Sequence, residues 1–176
     1  MAFVICVAAA TVAAYRPLID NLLGHTAVDS PPPAYVSALL PGAAVPIQQS
    51  VHIPYVGAQH SAYSSVPATS GAHLPWTLEP GIYAEPIADE LGVHALEHGH
   101  VLVQYDPAIE PATRARLEAL GRLYPRDVFI APYPGLPDPV AATAWGRILR
   151  LNHFDPASVI AFIEAFRGRY QHGWRE

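Results

Sequence analysis

Two histidines and a glutamate at close spacing are the residues of this sequence best suited to chemistry. His94-Ala-Leu-Glu97-His98 matches the H-x-x-E-H pattern of inverted zincins, in which the two histidines bind zinc and the glutamate acts as a base. That chemistry requires a stable helix. Gly92 and Gly99 bracket only six residues, and the β-prone segment VLVQY follows directly. We therefore expect a strand here, and a zinc hydrolase is the weaker interpretation.

A strand over this segment would gather histidines on one face. Side chains alternate along a strand with a period of two, so His94, His98 and His100 would project together. Three more histidines, His52, His60 and His73, precede them in the chain. Imidazoles that converge can bind Zn or Cu. The candidate metal ligands are His52, His73, His94 and His98, and Glu97 is expected to orient their rings.

A structural role for these histidines is the alternative that the sequence leaves open. Imidazoles can donate hydrogen bonds within a polar seam and so tie a loop to a sheet. The single cysteine is Cys6 and the single methionine is Met1, which argues against a blue-copper centre, a disulfide or an iron–sulfur cluster. Ser70 beside His73 resembles a nucleophile with a base, but a Ser-Gly turn in a Pro-rich loop favours structure. We assign no catalytic or cofactor-binding residue.

Composition limits the class of protein. The chain has 176 residues, of which 51% are hydrophobic, enough for one domain with a real core and some appendages. Only 14% are charged and the net charge is −5, so no basic face is available to neutralise phosphates. Nucleic-acid binding is therefore not expected.

The first fifty residues have the pattern of an anchor and a spacer. Met1 to Tyr15 is an apolar run, and residues 1–23 are interpreted as an uncleaved helix in the lipid bilayer, with a signal peptide as the alternative. Residues 24–50 contain Pro31-Pro32-Pro33 and further prolines, which predicts an extended linker. The rest, 51–176, is predicted to fold on the extracytoplasmic, periplasmic side.

Regular elements are predicted only in the second half of the chain. Residues 51–91, here called the arm, are rich in Pro, Gly, Ser and Tyr and predict ordered loops. Hydrophobic periodicity then predicts two α-helices and three strands, the first including at least Val101 to Tyr105. These are a strand within the alternating residues 93–105, a helix over 111–124, strands over 127–131 and 141–151, and a helix begun by Asp155-Pro156.

The β-α-β-β-α order predicts an α/β (α+β) domain with a small mixed sheet. It resembles at most the second half of a thioredoxin-like fold, without the redox cysteines, so the likeness carries no function.

Several short blocks also resemble one bacterial family, the domain of unknown function 3105. In chain order the blocks are His52-Ile-Pro-Tyr55, Pro67-Ala-Thr-Ser-Gly-Ala-His73, Gly81-Ile-Tyr83, Val93-His-Ala-Leu-Glu-His-Gly99, Ala131-Pro-Tyr-Pro-Gly135 and Ala144-Trp-Gly-Arg147. The resemblance covers roughly residues 51–170. It implies a membrane-tethered or exported domain with no assigned reaction.

The leading functional hypothesis is a non-catalytic accessory subunit of a larger bacterial membrane complex, respiratory or photosynthetic. Its partners would be the other subunits and, through residues 1–23, the bilayer. The alternative hypothesis is a histidine-ligated Zn or Cu protein, or an HxxEH metal-dependent hydrolase.

Overall fold

The computed structural model describes residues 40–169. The predicted anchor at 1–23 and the linker up to residue 39 lie outside these residues. Within the described range no helix is both long and apolar enough to cross a membrane.

Among residues 40–169 the domain is built on a six-stranded mixed sheet with three α-helices, which confirms the predicted α+β class. The strands lie in the order β1-β6-β5-β3-β4-β2. In chain order the elements are β1 (Ala43–Ala44), β2 (Gly81–Ile82), α1 (Asp89–Glu97), β3 (Val101–Tyr105), α2 (Pro111–Gly121), β4 (Val128–Pro132), β5 (Val140–Ala144), β6 (Arg147–Leu151) and α3 (Pro156–Phe166).

The centre of the sheet combines a parallel pair with an antiparallel hairpin. β3 pairs parallel with β4 across the α2 connection, whereas β5 pairs antiparallel with both β3 and β6. Close packing shows that α1 and α2 cover opposite faces. A Cβ on Gly92 of α1 would meet Leu102, a Cβ on Gly121 of α2 would meet Ile130, and these two side chains point to opposite faces of the sheet.

The strand predicted over at least Val101 to Tyr105 is confirmed as β3, but the alternation of residues 93–100 does not extend it. Residues Asp89–Glu97 form a helix, and Gly99, with φ +78°, ends it. Gly99 N donates to Leu96 O and His100 N donates to Ala95 O, the two bonds of a Schellman motif. The strand β3 begins directly after this turn, so apolar residues on both sides of Gly99 resembled one alternating run.

The single strand predicted over residues 141–151 is wrong, because this segment forms the β5–β6 hairpin. Gly146 takes φ +65° in the turn between β5 and β6, and Thr143 lies opposite Ile148 in the ladder. The other predicted elements, which are α2, β4 and α3, agree with the prediction to within a few residues. The clearest case is α3, where Asp155 caps the helix by accepting hydrogen bonds from Ala157 N and Ser158 N.

The arm and the end of the predicted linker pack onto the sheet. β1, within the range assigned to the linker, pairs antiparallel with β6. Gln48 N donates to Ser70 Oγ over 3.0 Å. Ile53, Ala58 and Leu74 form a small apolar cluster within the arm itself. Residues 43–50 are therefore structured together with the arm.

Candidate metal centre

Backbone pairing brings two distant histidines of the arm side by side. His52 and His73 form an isolated parallel β-bridge, with backbone hydrogen bonds of 2.8 and 2.9 Å on either side. The next residue, Leu74, donates its N–H to Glu90 O in the first turn of α1 over 3.1 Å. These contacts fix both histidines against the helix that carries His94.

Four side chains converge at this junction: His52, His73, His94 and Glu97. One nitrogen or carboxylate oxygen from each lies within 4.8 Å of all the others. The ring centroids are 5.1 Å apart for His52 and His73, 5.9 Å for His52 and His94, and 5.1 Å for His73 and His94. Helical spacing explains why α1 supplies two members, since residues three apart lie on one face.

The four side chains differ sharply in exposure. His73 is 0% exposed, Glu97 2% and His94 8%, whereas His52 is exposed to solvent. The site therefore has three buried donors and one that solvent reaches.

The ring of His73 is oriented by a carbonyl on one side and meets a carboxylate on the other. Nδ1 lies 2.9 Å from Gly71 O, which can only accept, so Nδ1 carries a proton. Nε2 lies 3.0 Å from Glu97 Oε2 but makes no hydrogen bond of normal geometry in the described part of the chain. In the neutral ring, Nε2 is an acceptor facing another acceptor. A cation, either a proton or a metal, is needed between them.

The environments of the two buried histidines shift their pKa values in opposite directions. Burial lowers the pKa of His73, but the Glu97 carboxylate and the Gly71 carbonyl outweigh it, and the pKa rises overall. Burial and the neighbouring His98 lower the pKa of His94 to about 4. His94 is therefore neutral at pH 7, and its buried Nδ1 has no hydrogen-bond partner among residues 40–169.

Glu97 contacts the cluster through both carboxylate oxygens. Oε2 faces His73, and Oε1 accepts a short hydrogen bond from Ser50 Oγ. Glu97 therefore orients the His73 ring, as predicted, and also contributes an atom to the converging group. Ser50 was not predicted, because it lies in the assumed linker and becomes part of the site only through folding.

His98 does not belong to the converging group. Its ring stacks on His94, with centroids 4.5 Å apart and planes 18° apart, and it is the C-cap residue of α1. The H-x-x-E-H segment is helical, contrary to our expectation. In an inverted zincin the two histidines of this motif bind the metal. Here Glu97, rather than the second histidine His98, converges with His94.

The remaining candidates lie elsewhere. His60 packs against Tyr63 with its Nδ1 2.7 Å from Ser61 O, and the ring of His100 meets Phe129 edge-on. Ser70 Oγ accepts from Gln48 N. Both ring nitrogens of His73 face groups other than Ser70, so no nucleophile–base pair is formed there.

Fold and site together define a mixed α+β domain with a mostly buried histidine–glutamate cluster beneath a loop-rich arm. The family described as Protein of unknown function (DUF3105) matches residues 56–175, and the chain belongs to it, as the sequence blocks predicted. Three of the four converging residues lie inside the matched range, and His52 lies just before it. No curated protein and no solved structure matches the chain significantly, so the thioredoxin-like likeness stays a prediction.

Proposed function

We propose that this domain binds a single Zn or Cu ion through His52, His73, His94 and Glu97. The observation that carries the proposal is the convergence of one donor atom from each of these four side chains. Beside it, two buried ring nitrogens of the same cluster, His73 Nε2 and His94 Nδ1, lack hydrogen-bond partners among the described residues. Leaving such groups unsatisfied in a protein interior costs about 1–3 kcal/mol each. A bound cation removes that cost at both nitrogens.

The donor set selects the class of metal. Three imidazoles and one carboxylate suit Zn or Cu, whereas Ca²⁺ and Mg²⁺ prefer oxygen ligands throughout. Neighbouring ligand atoms of a tetrahedral zinc site are about 3.4 Å apart. His73 Nε2 and Glu97 Oε2 are already 3.0 Å apart, and the other separations are at most 4.8 Å. Side-chain rotations of modest size therefore suffice to close the site.

A second observation supports the metal over a simple ion pair. A His73–Glu97 pair held by a proton would satisfy those two side chains, but it would leave His94 Nδ1 buried without a partner. The low pKa of His94 favours its neutral form, which is the form that binds metals.

Metal titration of the purified full-length chain tests the proposal. Elemental analysis after dialysis against Zn²⁺ or Cu²⁺ should give one ion per wild-type chain. Glu97→Gln, which preserves shape, and the double variant His73→Ala with His94→Ala should both lose it. The matched control replaces His60 and His153, two histidines outside the cluster, with Ala and should keep full occupancy.

Circular dichroism of each variant separates loss of metal from loss of fold. A folded wild-type chain that takes up neither metal would refute the proposal. The cluster would then be a proton-bridged pair that ties the arm to α1.

We also propose, as a second function, that the chain is an accessory subunit of a bacterial membrane complex, respiratory or photosynthetic, with its folded domain on the extracytoplasmic side. Exposed apolar side chains on and beside the arm support a partner surface. Seven of the eight exposed large hydrophobic residues in the described range lie there: Ile47, Val51, Tyr55, Val56, Val66, Trp76 and Ile82. The two roles are compatible.

Purification from native membranes in mild detergent tests the second role. Mass spectrometry should find the same partner chains at fixed ratio in every preparation. Charged substitutions at Tyr55 and Trp76 should release them, and a charged substitution at the exposed Leu123, far along the chain in sequence, is the matched control. Recovery of the wild-type chain alone would contradict this role.

A further inference from the structure

We infer that His52 is the exchange ligand of the metal centre, the one side chain through which the ion enters and leaves. The inference rests on the proposed metal site and specifies how that site works. It distinguishes a domain that loads and hands on its metal from one that holds a permanent structural ion.

Burial gives the direction of access. His73, Glu97 and His94 are at most 8% exposed, while His52 is exposed. An incoming ion or a competing chelator approaching from solvent therefore meets the His52 imidazole first. Structural zinc sites have four protein ligands, whereas catalytic sites have three and leave the fourth position to water or substrate. With His52 bound the proposed site has the first arrangement, and when the exposed ring turns away it has the second.

Backbone contacts make His52 suited to this step. The bridge to His73 fixes its backbone, and the neighbouring Ile53 side chain is buried. The exposed ring can therefore change rotamer without moving the buried ligands. When the ring turns away, water or a donor atom of a chelator takes its coordination position, so the number of ligands on the metal is preserved.

The buried ligands Glu97 and His73, by contrast, cannot change rotamer freely. Glu97 is held by Ser50 at one oxygen and faces His73 at the other, and the Nδ1 of His73 is held by Gly71 O. Movement of either side chain would break these contacts inside the protein. The three buried residues therefore retain the ion while His52 opens.

Zinc transfer to a chelator tests the inference. The full-length chain in mild detergent is loaded with Zn²⁺ and mixed with EDTA, and the rate of zinc loss is followed. His52→Ala should still bind one zinc, with release faster by at least about 10-fold, since even the loss of a partner outside the ligand shell weakens metal sites by about 10–100-fold. His153→Ala replaces another exposed histidine and should release zinc at the wild-type rate.

Chemical modification gives an independent readout on the wild-type chain. Diethyl pyrocarbonate should modify His52 in the zinc-free chain and not in the zinc-loaded chain, whereas exposed His153 should react in both. Modified protein should reload zinc with the weakened retention of His52→Ala.

The outcomes separate the inference from the proposed function. Unchanged release from His52→Ala, or complete loss of its zinc with the fold intact, would overturn the exchange role while leaving the metal site standing. Failure of the wild-type chain to bind zinc or copper would remove the site itself.

Discussion

Ser50 donates a hydrogen bond to Oε1 of Glu97, while the other oxygen of the same carboxylate faces His73 Nε2 at 3.0 Å. The serine therefore fixes the rotation of the carboxylate that the metal would share. Partners of this kind outside the ligand shell commonly contribute about 10–100-fold to metal affinity. The contact joins the last residue of the predicted linker to α1 across forty-seven positions of sequence.

Ser50→Ala is predicted to weaken zinc binding by about 10–100-fold while leaving one ion per chain at saturation. Competition with a zinc indicator measures the affinity. Ser61→Ala, at an exposed position of the arm, is the control and should bind zinc as the wild type does. Equal affinity for the Ser50 variant and the wild type would mean that the serine does not support the site.

His98→Ala is predicted to keep one zinc per chain with affinity within about threefold of the wild type. The ring of His98 stacks on His94 but is not among the four converging donors. Elemental analysis of this variant therefore decides between the proposed ligand set and an inverted-zincin pair. Loss of stoichiometric zinc from the folded variant would favour the pair and contradict the ligand set.

Gly99→Ala is predicted to lower the free energy of unfolding by about 2–4 kcal/mol. The residue has φ +78°, and an added Cβ would lie 3.0–3.1 Å from backbone atoms of Gly168 and Arg169. Gly135→Ala is the matched control, because Gly135 has φ +80° and no atom within 4 Å of its Cβ position. Its loss should be only about 1–2 kcal/mol.

Urea unfolding of the two glycine variants measures both effects. The difference between the two losses of unfolding free energy measures how much the packing of the end of α1 against the segment after α3 contributes. Equal losses would show that this packing contributes nothing.

Asp155→Ala is predicted to lower the free energy of unfolding by about 1 kcal/mol at neutral pH, through loss of the α3 cap. The hydrogen bond from the Ser158 hydroxyl, together with two backbone N–H groups, holds the pKa of Asp155 below its usual range. A carboxyl group whose pKa is lower in the folded than in the unfolded chain stabilises the fold at any pH above its unfolded pKa of about 3.9. This stabilisation is lost as the pH falls through the pKa of the folded state.

Unfolding measured over a range of pH checks the sign of this effect. The gap between wild type and Asp155→Ala should be constant above about pH 5 and shrink below about pH 4. Asp155→Asn keeps a capping side chain but has no carboxyl group, so its cap should not respond to pH. A gap that widens in acid would contradict the assignment.

The parts of the fold that sequence predicted are those with local signals. Val101–Tyr105 is a short, fully buried and mostly apolar strand, and Asp155-Pro156 places a capping residue before a proline in the first turn. The hairpin after Val140 was missed, since Trp145-Gly146 was taken as part of a strand although a glycine within a strand pattern often marks a turn. Asp89 and Gly99 similarly carried start and stop signals for α1 that the alternating pattern obscured.

The candidate site was predictable in its residue types and not in its assembly. His52, His73 and His94 were all named from sequence, yet their convergence depends on a single bridge between two loops and on the helical turn that adds Glu97. The bridge between the loops does not follow from hydrophobic periodicity, because loop pairing is set by tertiary packing. The helical turn was hidden by the alternating pattern. His98 was included because a strand interpretation placed it on the same face as His94.

In the sheet formed by residues 40–169, the two outermost strands, β1 and β2, have only two residues each, whereas the four between them have five. Long open edges invite another chain to add a strand, and very short edge strands are one way in which natural proteins prevent this. β1 covers part of the free side of β6, and β2 covers part of β4. β1, just before the arm, and β2, within it, thus shorten the open edges at which another chain could add a strand.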